Sequence, residues 1–341
     1  MTLRDDPRAD PRMIVAMEPF GLADPPEPVP VSADSSIDEL LEYVAAAEEG
    51  FEALFAGLFT GMPEVEGVDR SVEVIDGLDG NDVTLYVHRP SAAGEELPGV
   101  LHLHGGGMVL LEAAGPSYVR WRDDLAASGL VVVGVEFRNG GGKHGPHPFP
   151  AGLNDCAAAL RWVVDHKAQL GITTLTVSGE SGGGNLSLAT VLRAKRDGLI
   201  DHVDGVYALC PYISNAWAAP VPELTSLFEN DGYFLEVAMM GALAKVYDPS
   251  GEHASDPLAW PLHASVEDLA GLPPHVISVN QLDPLRDEGL AYARKLLDAG
   301  VSVVSRTVNG TCHAGDMIFA VAMADVYRAT LRDIKGFADS L

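Results

Sequence analysis

The sequence predicts an α/β protein with a mostly parallel central sheet, helices on both faces of that sheet, and a helical cap. Three observations carry this expectation. Short apolar runs at Val100-Leu101-His102-Leu103, Val131-Val132-Val133-Gly134-Val135, Leu175-Thr176-Val177, Val206-Tyr207-Ala208-Leu209 and Val276-Ile277-Ser278-Val279 alternate with helical stretches near 116–128, 150–169, 184–197 and 285–299, and strands without polar alternation are buried on both faces. Glycine clusters stand just after two of those runs, at His104-Gly105-Gly106-Gly107 and Gly179-Glu180-Ser181-Gly182-Gly183. The stretch from residue 212 to 261 breaks the alternation with Trp217, Phe228, Tyr233, Phe234, Met239 and Met240 and no clear strand.

From the N-terminus, residues 1–33 are rich in proline and aspartate and are expected to lie as an extended arm over the body. A helix then opens at Ser36, which has capping-box spacing to Glu39. Ile37, Leu40, Leu41, Val44, Phe51, Leu54, Phe55 and Leu58 recur at helical intervals behind it. Its apolar stripe suits either core packing or half of a lid. Val72-Glu73-Val74-Ile75 and Val83-Thr84-Leu85-Tyr86-Val87-His88 alternate as half-exposed antiparallel strands do. The expected division is an arm and cap helix over 1–70, a catalytic body over 71–211 and 262–341, and a cap insertion over 212–261.

Composition narrows the function classes. With 22 Lys plus Arg against 49 Asp plus Glu the net charge is −27, which repels nucleic acid and anionic membrane surfaces. Three cysteines, Cys156, Cys210 and Cys312, lack metal-type spacing and fit reduced thiols. No early apolar stretch is long enough for a signal peptide or a span, so a cytoplasmic protein is expected. The composition leaves room for a homo-oligomer.

The chemistry centres on Ser181. A strand reversing abruptly into a helix holds the residue at the bend in a strained conformation and presents its side chain outward, and flanking glycines remove the Cβ atoms that would collide. Glycine is 36 of 341 residues, so G-x-S-x-G arises by chance about 0.2 times in such a chain; its strand-turn-helix setting makes it more specific. The second cluster, residues 104–107, suits an oxyanion site, where backbone N–H groups meet the charge of a tetrahedral intermediate. The N–H of Gly182 would be a further donor. A serine needs a base, and the base an acid, following in the order serine, acid, histidine. Five histidines come after Ser181: His202, His253, His263, His275 and His313. His313 alone follows the end of a late strand, Val301 to Val308, and Asp283 holds the corresponding place after Val276 to Val279. Asp283 also reads as a helix N-cap ahead of Pro284, and Asp287 and Glu288 remain fallback acids.

Taken together, His104-Gly105-Gly106-Gly107, Gly179-Glu180-Ser181-Gly182-Gly183, Asp283-Pro284-Leu285-Arg286-Asp287-Glu288-Gly289 and His313, supported by Phe137-Arg138 and His147-Pro148-Phe149-Pro150-Ala151, resemble the hormone-sensitive-lipase-like esterases of the α/β-hydrolase superfamily over roughly residues 70–335. The resemblance implies an α/β-hydrolase fold, Ser181 as nucleophile, His313 as base and Asp283 as orienting acid. It also implies an oxyanion site of Gly105, Gly106, Gly107 and Gly182, a cap from the N-terminal region and the insertion, and no metal or organic cofactor. Two departures stand out. Gly182 replaces the alanine more common in the family, which keeps the N–H and is expected to loosen the elbow. The Asn139-Gly140-Gly141-Gly142-Lys143 loop is longer than usual and is expected to reshape the pocket mouth.

The function expected is therefore hydrolysis of small to medium carboxylic esters, a macrolide lactone among them, through an acyl-serine. Amide or peptide cleavage by the same triad and ligand binding on a non-catalytic hydrolase fold are the alternatives. Glu180 is expected to be a buried carboxylate bonded to nearby backbone. Cys312 is a candidate for oxidation, and the His102/His104 pair lacks the partners a metal hydrolase needs.

Overall fold

A computed structural model describes residues 2–92, 94, 96–217 and 219–341. Its centre is an eight-stranded sheet of β1 (Val68–Asp76), β2 (Asp82–Pro90), β3 (Leu97–Leu103), β4 (Val131–Glu136), β5 (Ile172–Glu180), β6 (Gly205–Leu209), β7 (His275–Asn280) and β8 (Val303–Val308), in the order β1-β2-β4-β3-β5-β6-β7-β8. β2 pairs antiparallel with β1 and β4, and the remaining pairs are parallel. The sequence pattern explains the order. β6 and β7 are buried along their whole length, whereas β1 and β8 are largely exposed at the two edges.

Because β3, β5, β7 and β8 run in the same direction, the loops leaving their carboxyl ends emerge on one edge of the sheet. Register sharpens this. Leu103 pairs with Gly179, so the 104–107 loop begins beside the elbow, and Glu180 pairs with Leu209. The helix Gly182–Arg196 follows the elbow, and all but three of its fifteen residues are buried. The helices Pro116–Ala127, Ala151–Asp165, Arg286–Asp298 and Ala324–Asp339 complete the covering layers.

The N-terminal arm is not extended. It carries a helix, Pro11–Met17, capped by the Asp10 side chain on the N–H of Arg12. Met13 and Met17 are fully buried, so apolar burial offsets the backbone ordering that the polar composition concealed. The helix Ile37–Leu58 opens with the expected reciprocal capping box of Ser36 and Glu39, a device whose loss typically costs about 1 kcal/mol. It packs on the helix Val237–Tyr247, and the Phe51 ring meets Phe234 edge-on with centroids 6.2 Å apart. Among the described residues no helix is long and apolar enough to cross a membrane.

Candidate active site

Ser181 occupies the turn from β5 into the Gly182–Arg196 helix with φ 57° and ψ −119°, a conformation that persists only when its surroundings hold it. They do so with backbone bonds. The Ser181 N–H donates to Leu209 O at 3.0 Å, and its carbonyl accepts from the N–H groups of Asn185 and Tyr212, both at 3.0 Å. A Cβ on Gly179 would lie 2.3 Å from Leu103 O, and one on Gly183 would lie 2.0 Å from the same atom. Only glycine lets the turn lie against the end of β3.

His313 follows β8 and Asp283 follows β7, and the two meet: His313 Nδ1 lies 2.8 Å from Asp283 Oδ2. Asp283 is fully buried and its other oxygen accepts the Leu285 N–H at 2.9 Å, so one carboxylate orients the imidazole and starts the following helix. The fallback acids are committed elsewhere. Asp287 accepts from Thr225 and Ser226, and Glu288 from the N–H of Ile213 and the indole of Trp217. Of the other late histidines, His263 faces Asn215 and His275 faces Pro273 O at the start of β7. Cys210, Asp283 and His313 place potential ligand atoms within 4.8 Å of one another. Burial pushes the Cys210 thiol well above its usual range, and Asp283 and His313 are already hydrogen-bonded to each other.

In the 104–107 loop, Gly106 has φ 103° and Gly107 φ 63°, the left-handed region that glycine adopts without strain. Gly106 O accepts from Val109 and Leu110, both at 3.0 Å. No intramolecular acceptor among the described residues takes the N–H of Gly106, Gly107 or Gly182. Gly105 differs from the expectation: its N–H donates to Glu180 Oε1, so it is spent on holding the loop and is not free for a substrate oxygen. Burial raises the Glu180 carboxyl to about 8, with the Gly105 N–H and the Tyr118 hydroxyl opposing that rise. His104, buried and stacked on Phe137 at 4.1 Å, places Nδ1 2.8 Å from Gly105 O. Burial lowers His104 to about 3, so it is neutral and donates to that carbonyl. In a trans peptide the N–H opposite that carbonyl is that of Gly106, and His104 thereby sets its direction.

Gly182 also departs from expectation, because the elbow is tight rather than loose. A Cβ there would stand 2.5 Å from Met108 N and 2.6 Å from Gly107 N, so backbone lies against backbone. Ser181, His313 and Gly105–Gly107 line one cavity of about 670 Å³ counted with its open mouth, walled by Phe51, Phe55, Phe59, Leu110, Phe234, Leu235, Met239, Met240, Leu243, Met317 and Ile318.

The profile of the alpha/beta hydrolase fold matches residues 100–316. The chain belongs to the α/β-hydrolase family. The carboxylesterase NlhH of Mycobacterium tuberculosis is 33% identical to it over 288 residues, covering 82% of this chain and 84% of the relative. The esterase LipI of the same organism is 34% identical over 71% of this chain and 72% of the relative. Among solved structures, a brefeldin A esterase described as a bacterial homologue of human hormone-sensitive lipase superposes with a TM-score of 0.96 at 47% identity, covering 99% of this chain and 95% of that one. Esterase Est22 superposes at 0.88 with 36% identity and 99% of each chain. The hormone-sensitive-lipase branch indicated by the motifs is therefore the correct one.

Two residues of the hydrolase, Glu48 and Asn230, escaped sequence reasoning, and two expectations change. The 139–143 loop, expected at the pocket mouth, lies behind the glycine segment instead: Gly140 and Gly141 donate their N–H groups to Met108 O and Val109 O, both at 2.9 Å, and none of its residues lines the cavity of Ser181. It also meets a buried carboxylate, Glu48 on the Ile37–Leu58 helix, which no motif singles out. Asn230, fully buried, donates to the carbonyls of Gln281 and Asp283 and faces Arg8 of the arm at 3.4 Å, tying the N-terminus to the loop that bears Asp283. Cys312 is fully buried with its thiol raised well above the usual range, which removes it from the oxidation-prone thiolates.

Proposed function

We propose that the hydrolase is a serine carboxylesterase acting on small to medium esters through an acyl-serine intermediate. The observation that carries this reading is that His313, paired with the buried Asp283, lines one apolar cavity together with a strained serine and with Gly106 and Gly107, whose N–H groups are uncommitted. In the proposed cycle Ser181 Oγ attacks the ester carbonyl carbon while the distal nitrogen of His313 takes its proton. Asp283 fixes the tautomer and stabilises the imidazolium. The carbonyl oxygen becomes an oxyanion facing the N–H groups of Gly106, Gly107 and Gly182, where each such donor is typically worth about 3 kcal/mol in the transition state. Collapse breaks the bond to the alkoxide, which leaves as the alcohol with the proton from His313. A water deprotonated by His313 then attacks the acyl-serine, releasing the carboxylic acid and restoring the serine.

Aromatic and thioether walls favour apolar acyl or alcohol groups. A lactone fits the same cycle, its alcohol remaining tethered so that one hydroxy acid leaves. The likeness to a brefeldin A esterase over almost the whole chain supports including macrolides in the substrate range. The test is Ser181→Ala with p-nitrophenyl butyrate. The variant is expected to keep the native fold and lose turnover, and near-wild-type hydrolysis would overturn the reading.

A further inference from the structure

Glu48 stands in the middle of an otherwise apolar stripe, with Leu41 and Val44 before it and Phe51 and Phe55 after it at helical spacing. It is 2% exposed. Neither of its oxygens bonds within its own helix. Oε1 accepts the N–H of Leu111 at 2.7 Å and Oε2 that of Lys143 at 2.9 Å. Leu111 ends the segment that begins with the oxyanion glycines, has φ 75°, and gives its carbonyl to Asn139 Nδ2 at 2.7 Å. The glycine loop comes so close that a Cβ on Gly142 would lie 2.8 Å from both carboxylate oxygens. One carboxylate therefore ties three pieces together: the helix that carries Phe51 and Phe55 onto the cavity wall, the far limb of the oxyanion segment, and the loop that backs it.

An apolar residue would seal this stripe against the body without the cost of burying a charge. It would not satisfy two backbone N–H groups that belong to two different segments. We propose that Glu48 is a positioning residue that sets the distance between the aromatic wall and Ser181, and so determines how well the hydrolase holds esters large enough to reach that wall. The inference rests on the serine-esterase reading. Small esters that touch only the reacting centre depend little on the wall; large ones depend on it throughout.

The experiment compares ethyl acetate, followed by acid release, with p-nitrophenyl hexanoate. Glu48→Gln keeps the shape of the side chain but turns one accepting end into a donor facing an N–H. The expected result is a fall in kcat/KM of about tenfold for the hexanoate, carried mainly by KM, the loss typical of one charge-assisted hydrogen bond, and a fall no greater than about threefold for ethyl acetate. Equal losses on both esters, or none on either, overturn the inference. Gly142→Ala, which displaces the loop from an intact carboxylate, is expected to shift selectivity the same way, and it decides the matter if the glutamine variant does not fold; uniform loss there is likewise fatal. Ser181→Ala assayed in parallel separates the two levels. Hydrolysis surviving in that variant refutes the esterase mechanism itself, whereas its loss together with an unchanged hexanoate-to-acetate ratio in the Glu48 variant refutes only the role of Glu48.

Discussion

Gly182→Ala adds one methyl group where the helix after the elbow meets the oxyanion loop, and the structure sets the size of the effect. The new Cβ would lie 2.5 Å from Met108 N, 2.6 Å from Gly107 N and 2.8 Å from Gly107 Cα. Ordinary contact begins near 3.4 Å, so the loop must withdraw by about 0.9 Å. No side-chain rotation relieves the clash, because these three nearest atoms are all main chain. The loop is also held from behind, by Val109 and Leu110 on Gly106 O and by Gly140 on Met108 O, so the displacement falls on the N–H groups proposed to face the oxyanion.

A misplacement of about 1 Å costs roughly 100-fold in a catalysed step, and removal of one oxyanion donor costs about 100- to 1,000-fold. The expected loss in kcat is therefore about 100-fold, or about 2.7 kcal/mol of transition-state stabilisation. KM should change little, because these donors act on charge that develops after binding. Steady-state kinetics with p-nitrophenyl butyrate, beside a thermal unfolding curve showing that the variant is folded, measure both quantities. A folded variant retaining kcat within about threefold of the parent would refute the reasoning. In that case the loop is free to retreat, and the close backbone contact has no part in placing the donors.

Two further outcomes follow from the surroundings of single residues. Glu180 has a folded value of about 8 against 4.5 for the free side chain, so between those pH values the native state holds a proton that the unfolded chain releases, and stability falls as pH rises through the window. Urea unfolding between pH 5.5 and 7.5 should show the parent losing about 1.4 kcal/mol per pH unit relative to Glu180→Gln, and parallel slopes would exclude a buried neutral Glu180. Gly336 lies inside the Ala324–Asp339 helix with open space where a Cβ would go, so Gly336→Ala should stabilise by about 0.5–1 kcal/mol and raise the melting temperature by about 1 °C; a lower melting temperature would contradict this.

The body of the fold was legible because its signals are local and repeated. β3, β6 and β7 announce themselves as apolar runs, since both faces of each are covered, and β1 and β2 as alternating ones. The G-x-S-x-G turn and the His104 cluster follow the same logic: glycine marks where backbone must lie against backbone, as Gly179 and Gly183 do on Leu103 O. The arm at residues 1–33 was not legible in the same way. Its Asp10-Pro11 pair is a helix-start signal, but about two turns of helix holding two buried methionines have too few residues for periodicity to outweigh a composition of proline and aspartate.

The site divides along a different line. Residue type reports what a position is able to do, and distance in space decides whether it does so. Four consecutive residues, His104 to Gly107, read alike as an oxyanion loop, yet His104 turns a carbonyl, Gly105 gives its N–H to Glu180, and Gly106 and Gly107 keep theirs free. Glu48 lies in Ala45-Ala46-Ala47-Glu48-Glu49-Gly50, where two adjacent carboxylates look equally solvated. Helical phase sorts them, because Glu48 shares the stripe of Leu41, Val44, Phe51 and Phe55 while Glu49 is turned about 100° away. A charged residue in phase with an apolar stripe is costly unless backbone donors from elsewhere meet it. That cost, more than any motif, was the available sign that residue 48 reaches Leu111 and Lys143, segments that only the fold brings together.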